Sequence, residues 1–266
     1  MGCWIFAGGA NWGPQDEAGS IGTVHAALDA GINFFDTAEG YRGDDYSETV
    51  LGKALAGRRD KAVVATKAGG QSMSAQKLTE ACERSLQRLK CDCIDLYLLH
   101  WPGGIPLEQT FAGLQALQES GKIRDYGVSN FDLHDLRAIP EAYRDRLGGN
   151  QVFYNLAHRE PEWAVADWCR QRGTPLMAYS PLDQGGELLK SSVIAKVAEN
   201  HGASPAQIAL AWLLHQPETV VIPKSARLKR IEDNLAALDI KLSAGDLQDL
   251  DSAFPAPQRA VRLGMR

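Results

Sequence analysis

Short apolar stretches recur along the chain, and three of them stop at an ionisable side chain. Ile32-Asn33-Phe34-Phe35 runs into Asp36, Ala62-Val63-Val64-Ala65-Thr66 into Lys67, and Ile94-Asp95-Leu96-Tyr97-Leu98-Leu99 into His100. A phenol, Tyr41, follows Asp36 by five positions. Buried strands look like this when they deliver polar groups to a pocket at their C-terminal ends. Five further stretches read as strands: Gly2–Phe6, Asp125–Ser129, Asn150–Tyr154, Pro175–Tyr179 and Thr219–Ile222. Between them the apolar positions recur at helical spacing. Helices are predicted near Asp16–Asp29, with Ile21, Val24, Ala27 and Leu28 as the stripe, then near Ser47–Ala56, Ser74–Leu89, Pro106–Ser120 and Leu133–Asp145. The pattern continues near Glu160–Arg172, Lys190–Asn200, Ser204–His215, Arg227–Leu238 and Ser243–Ala253. Ser47 and Ser74 are the expected N-caps, and Gly31, Gly121 and Gly173 stand where helices should stop.

Strands this apolar, alternating with helices, imply a parallel sheet buried on both faces. Eight strand–helix units within about 250 residues fit an α/β fold of the closed (β/α)8 (TIM) barrel type. A doubly wound sheet that bound a dinucleotide would place G-x-G-x-x-G after its first strand, and the chain has no such turn. No linker or low-complexity stretch divides residues 1–266, so one domain is expected.

Composition narrows the partners. A net charge of −5 and a pI near 5.7 argue against nucleic acid or an anionic membrane, both of which want a basic face. The five cysteines (Cys3, Cys82, Cys91, Cys93, Cys169) lack zinc-ligand spacing, so no metal is expected and the thiols read as reduced. No leader and no span-length apolar run is visible, which makes the cytoplasm the expected compartment.

In a barrel the C-terminal strand ends converge on one face. There Asp36 with Tyr41, Lys67 and His100 would meet. A tyrosine with a pKa of about 10 releases its proton reluctantly at neutral pH. A neighbouring ammonium favours the phenolate, and lowering the pKa by two or three units takes about 3–4 kcal/mol. Asp36 would keep Lys67 charged and aimed, and His100 would donate to a carbonyl oxygen. Taken singly, each residue has a plainer explanation: a turn-forming aspartate, a solvated lysine, a rim aromatic, a histidine satisfying a loop carbonyl. Three successive strands ending in one acid–base set favour a proton donor aimed at a developing alkoxide.

At these residues the chain resembles the aldo-keto reductases. The matching stretches are Gly2-Cys3-Trp4, Asp36-Thr37-Ala38-Glu39-Gly40-Tyr41, Thr66-Lys67, Leu98-Leu99-His100-Trp101-Pro102 and Gly127-Val128-Ser129-Asn130. Gln151, Tyr179-Ser180-Pro181-Leu182 and Ile222-Pro223-Lys224-Ser225 continue the match, which runs in order to about residue 254. The resemblance implies a (β/α)8 barrel and an NADPH-dependent oxidoreductase that reduces aldehydes or ketones to alcohols. Tyr41 is then the general acid, tuned by Lys67 and Asp36, while His100 orients the carbonyl. For the cofactor, Ser129, Asn130 and Gln151 suit a carboxamide, and Tyr179 offers a face for the nicotinamide ring, which in this family sets pro-R transfer. Gly185 and Gly186 allow close approach to a pyrophosphate, Ser180 and Leu182 are counted with the cofactor-binding residues, and Lys224, Ser225, Arg230 and Asn234 suit a 2′-phosphate. Trp4 and Trp101 match aromatic pocket positions of the family, and Trp12, in an inserted loop without a family counterpart, reads equally as packing or as a third wall of a permissive substrate pocket.

Family members usually open with a β-hairpin that plugs the barrel floor, and its absence is expected here because the first strand begins near Met1. The polar insert Arg42-Gly43-Asp44-Asp45 after Tyr41 is a further departure. Two other functions compete. A cofactor-binding regulatory subunit with negligible turnover, like the ion-channel β subunits of this fold, would retain the same four residues. A metal-dependent hydrolase on a barrel wants H-x-H at its first strand, which this chain lacks. Monomer or weak oligomer is the expected assembly.

Overall fold

The computed structural model describes residues 1–10, 12–14, 16–69 and 74–265, so Asn11, in the glycine-rich loop expected over Gly8–Pro14, lies outside the described residues. The chain divides into two compact units, Met1–Gly149 with Lys224–Leu228, and Asn150–Pro223 with Lys229–Arg266.

In the first unit, α1 (Glu17–Asp29) precedes β1 (Phe34–Asp36), α2 (Ser47–Ala54) and β2 (Val63–Ala68). Next come α3 (Ala75–Leu89), β3 (Ile94–Leu99), α4 (Leu107–Glu119), β4 (Ile123–Ser129) and the short helices α5 (Leu133–Ala138) and α6 (Glu141–Arg144). Strands β1 to β4 pair in sequence order, all parallel. Asp16 and Ser74 cap α1 and α3 through their side chains, accepting from Ala18 N and Lys77 N. Five of the six residues of β2 and all of β3 are buried, as a sheet covered on both faces requires.

The register explains how the polar strand ends share a face. Asp36 pairs with Ala65, two residues before Lys67, and Lys67 pairs with Leu98, two residues before His100. Side chains two apart on a strand point the same way. Each successive strand therefore contributes its polar residue to the same face, two positions further along. A bond from His100 N to Ala68 O (3.1 Å) continues the ladder to that point.

Three expectations for this unit need correction. The stretch Gly2–Phe6 is no strand: Gly2 alone bridges Asp36 and Lys224, and Trp4–Ala7 forms a 3-10 turn ending at Gly8, whose φ is +65°. Backbone bonds from Phe6 N to Cys3 O (2.9 Å) and from Gly8 N to Ile5 O (3.2 Å) close the turn locally and leave these groups no strand partner. Ser47 is not the cap of α2; Tyr46 holds that position without a side-chain bond, and Ser47 turns its hydroxyl elsewhere. The helix expected over Leu133–Asp145 is broken at Ile139-Pro140, because the residue before proline is pushed to extended backbone (Ile139 ψ 131°).

In the second unit, β5 (Asn150–Phe153), β6 (Leu176–Tyr179) and β7 (Thr219–Ile222) pair in order and in parallel. The 3-10 turn Glu160–Trp163 and α7 (Val165–Arg170) replace the single helix expected over Glu160–Arg172. Beyond these lie α8 (Ser192–Asn200), α9 (Pro205–His215), α10 (Leu228–Leu235) and α11 (Ala244–Ala253). Six consecutive residues of α9, Ile208–Leu213, are buried, and Ser204 and Gln207 close a capping box on it with Pro205 in the first turn. Among the described residues no helix is long and apolar enough to cross a membrane. All five cysteines are free; burial pushes the Cys3, Cys82 and Cys169 thiols up to about 12, which leaves them unreactive.

Candidate active site

Lys67 is the centre of the cluster. Its side chain is fully buried, and its ammonium donates to Asp36 Oδ1 (2.9 Å), Asp36 Oδ2 (2.8 Å), Thr37 O (2.7 Å) and the Tyr41 hydroxyl (3.3 Å). Burial penalises that ammonium most, yet Asp36 and Tyr41 together outweigh the penalty and leave its pKa above the ordinary lysine value. Lys67 therefore stays charged. The ammonium also lies 4.8 Å from the centre of the Tyr41 ring.

The expected lowering of the Tyr41 pKa is not what the structure gives. Burial is the largest influence on the phenol and raises its pKa, Lys67 opposes it, and the Asp36 carboxylate adds to the rise. An ammonium already neutralised by a two-oxygen carboxylate contact is a weak source of positive potential. The net direction is upward, so Tyr41 carries its proton at neutral pH. His100 moves the other way: burial first, then the Lys67 charge, hold its pKa down at about 3. A neutral imidazole offers one N–H donor and no acid function in the working range.

Rings line the approach to the phenol. Trp4 stacks on Tyr41 with centroids 5.2 Å apart, and Trp12 meets Trp4 edge to face at 5.5 Å. His100 meets Tyr41 edge to face at 5.8 Å and stacks on Trp101 at 5.2 Å. The three predicted pocket tryptophans thus sit in one run of rings with Tyr41 and His100. The insert after Tyr41 also has a place. Asp44 N donates to Ala7 O (2.8 Å), Gly9 N to Asp44 Oδ2 (3.2 Å), and a Cβ at Gly43 would lie 2.4 Å from Gly8 O. The loop carrying Tyr41 is laced to the segment carrying Trp4.

Ser129 and Asn130 end β4 and are buried. Asn130 adopts left-handed backbone (φ +61°), tolerable for asparagine, and its side-chain amide donates to His100 O (3.0 Å) and Ser129 Oγ (3.1 Å). Lys224 pairs through its backbone with Gly2 and places its ammonium 4.1 Å above the Trp12 ring. Ser225 is committed locally, since its hydroxyl accepts from Arg227 N and donates to Arg227 O.

In the second unit, Gln151 is buried on β5, and Tyr179 ends β6 stacked on Phe153 at 5.6 Å. Ser180, Asp183 and Gln184 have φ of +49°, +47° and +56°, a run of non-glycine residues in left-handed backbone of the kind that marks binding loops. Leu182 lies between them with an ordinary φ of −111°, and Gly185 (φ +80°) has open space beside its Cα, whereas a Cβ at Gly186 would meet Asp183 Oδ2 at 3.0 Å. Arg230 and Asn234 lie one turn apart on α10, Arg230 exposed.

Sequence reasoning missed two buried polar groups, one in each unit. Glu48 is fully buried and accepts from Thr66 Oγ1 and Arg88 Nε, both at 2.6 Å. Asn155 donates to Ser180 O (2.9 Å) and holds the start of the strained loop. A carboxylate inside the apolar face of a predicted helix was the available signal for Glu48.

An acid–base cluster at parallel strand ends defines a carbonyl-handling class of oxidoreductase, and the comparisons agree. Residues 1–254 match the model of the aldo/keto reductase family, to which this chain belongs. It is 40% identical to methylglyoxal reductase YeaE of Escherichia coli (strain K12), over 92% of this chain and 88% of that protein. It is 35% identical to glyoxal reductase of Bacillus subtilis (strain 168), over 86% and 82% respectively. A crystal structure of an aldo-keto reductase from Klebsiella pneumoniae in complex with NADPH superposes with a TM-score of 0.94 at 38% identity, covering 100% of this chain and 94% of that one. The fold class is accordingly the (β/α)8 barrel of that family.

Proposed function

We propose that this chain is an NADPH-dependent reductase of small aldehydes and ketones, with Tyr41 as the proton donor. The observation that carries the reading is the Lys67 ammonium held at once by both Asp36 oxygens and by the Tyr41 hydroxyl, with His100 against the same ring. The donor chemistry suits the cofactor. Ser129, Asn130 and Gln151 carry the hydroxyl and amides for a carboxamide, and Tyr179 carries the flat face for a ring. Gly185 and Gly186 would admit the pyrophosphate, Ser180 and Leu182 would line the cofactor, and Lys224, Ser225, Arg230 and Asn234 would hold the 2′-phosphate. When bound, NADPH supplies the hydride.

The residues of the chain do the rest. The neutral His100 donates its N–H to the substrate carbonyl oxygen and fixes its direction. As that oxygen gains charge, the Tyr41 hydroxyl gives up its proton to it, and Lys67 stabilises the phenolate left behind. Asp36 keeps the ammonium in place through the transfer. Trp4, Trp12 and Trp101 exclude water and accept apolar substituents without reading them closely, which supports broad specificity. Residues 1–266 act as one domain, monomeric or weakly associated, in the cytoplasm.

Relatives named for methylglyoxal and glyoxal reduction support small oxo-aldehydes as substrates. Steady oxidation of NADPH with methylglyoxal or 4-nitrobenzaldehyde is the expected result. NADPH that binds while neither carbonyl is consumed would instead favour the regulatory subunit.

A further inference from the structure

Ser47 is fully buried at the start of α2, and its three hydrogen bonds all lead toward the reacting side chains. Its amide donates to Tyr41 O at 2.9 Å. Its hydroxyl donates to Cys3 O at 2.6 Å and accepts from Thr37 Oγ1 at 3.0 Å. Each partner is one bond removed from the chemistry. Thr37 O receives the Lys67 ammonium at 2.7 Å, Cys3 N donates to Asp36 O at 2.8 Å, and Cys3 precedes the Trp4 indole that lies on the Tyr41 ring.

We infer that Ser47 is a positioning residue for proton transfer, holding the Tyr41 phenol at the Lys67 ammonium and the Trp4 face against the phenol. The ordinary reading of such a serine, a helix cap, does not account for it. Tyr46 occupies the cap position, and the Ser47 hydroxyl goes to Cys3, outside the helix. Tyr41 sits on a loop between β1 and α2, and a loop needs both ends fixed to place a side chain. Ser47 ties Thr37 at one end to Tyr41 in the middle and to the separate segment that carries Trp4. A displacement of about 1 Å at a reacting group can lower a rate about 100-fold, so this clamp bears on turnover more than on binding.

The inference rests on Tyr41 as proton donor, and the test separates the two. Ser47→Ala, Ser47→Cys and Thr37→Val in the full chain are compared with wild type for NADPH-dependent reduction of 4-nitrobenzaldehyde. The NADPH dissociation constant, the melting temperature and the near-ultraviolet circular dichroism of the stacked Trp4–Tyr41 pair are measured beside it. Ser47→Ala should lower kcat about 10- to 100-fold while KM and the NADPH constant stay within about threefold, and should weaken the aromatic dichroism. Ser47→Cys, with a poorer donor, should fall between, and the isosteric Thr37→Val should shift kcat in the same sense. Values of kcat within about twofold of wild type for both Ser47→Ala and Thr37→Val overturn the inference. So does a parallel fall of kcat, cofactor affinity and melting temperature in every variant, which marks general damage. A wild type with no turnover sinks the proton-donor reading instead; aromatic dichroism unchanged in Ser47→Ala would then overturn the positioning role as well.

Discussion

Lys67→Met keeps the length and approximate volume of the side chain while deleting the charge at the centre of the cluster. Four contacts disappear, two of them to a carboxylate whose side chain is only 5% exposed. Breaking one side of a buried pair costs about 3–5 kcal/mol, because the remaining charge is left in protein without compensation. For a chain of this size that corresponds to a fall in melting temperature of roughly 6–20 °C. The exposed pair Arg58–Asp29, at 2.9 Å with side chains 34% and 69% exposed, provides the control. Arg58→Met should cost less than about 1 kcal/mol, since solvent screens that pair. The double variant Asp36→Asn/Lys67→Met should recover most of the single-variant loss, because it strands no charge. Urea unfolding of the four proteins at neutral pH measures all of this. A Lys67→Met protein as stable as Arg58→Met, or a double variant less stable than Lys67→Met alone, would refute the coupling drawn here between Asp36 and Lys67.

Other consequences are separable. Because burial raises the Tyr41 pKa, the phenol is proton-loaded through neutrality: kcat for carbonyl reduction should stay level from pH 6 to 8, while alcohol oxidation, which needs the phenolate, should climb with pH. His100, held near 3, contributes stability present above its unfolded pKa of about 6.5 and lost as the pH falls toward 3; a reduction rate that drops as pH rises through 6–7 would make the imidazolium the acid instead. Lys224→Ala with Arg230→Ala should raise the NADPH dissociation constant far more than that for NADH, and equal losses would remove the phosphate assignment. Gly43→Ala, whose Cβ would lie 2.4 Å from Gly8 O and 2.7 Å from Ala7 O, should cost about 1–3 kcal/mol in thermal unfolding and raise KM by loosening the Tyr41 loop; a variant that melts and binds like wild type would show that the lacing is slack.

The strands that end at Asp36, Lys67 and His100 were legible because burial on both faces writes itself as an unbroken apolar run, and a charge closing such a run is conspicuous. The two-residue stagger between neighbours was not legible, because it comes from the register, which pairs Asp36 with Ala65 and Lys67 with Leu98, residues far apart along the chain. The first segment was not legible: Gly2 to Ala7 has the composition of a strand, yet Trp4–Ala7 closes into a 3-10 turn that lays Trp4 on Tyr41, a contact between distant positions. Ser47 was misread for a related reason. A serine before a helix normally caps it, and only the tertiary position of Cys3 O draws its hydroxyl away. The direction of the Tyr41 shift was hidden as well, since adjacency of Lys67 is readable while the competing burial is a property of the folded chain.

The most direct test of the proton-donor assignment is Tyr41→Phe, which removes one oxygen from a ring that keeps its stack on Trp4. Binding of NADPH, followed by fluorescence, should match wild type, while turnover of 4-nitrobenzaldehyde falls by about 100- to 10,000-fold, the share a positioned general acid commonly supplies. A Tyr41→Phe protein that still reduces the aldehyde at near the wild-type rate would mean the proton comes from elsewhere.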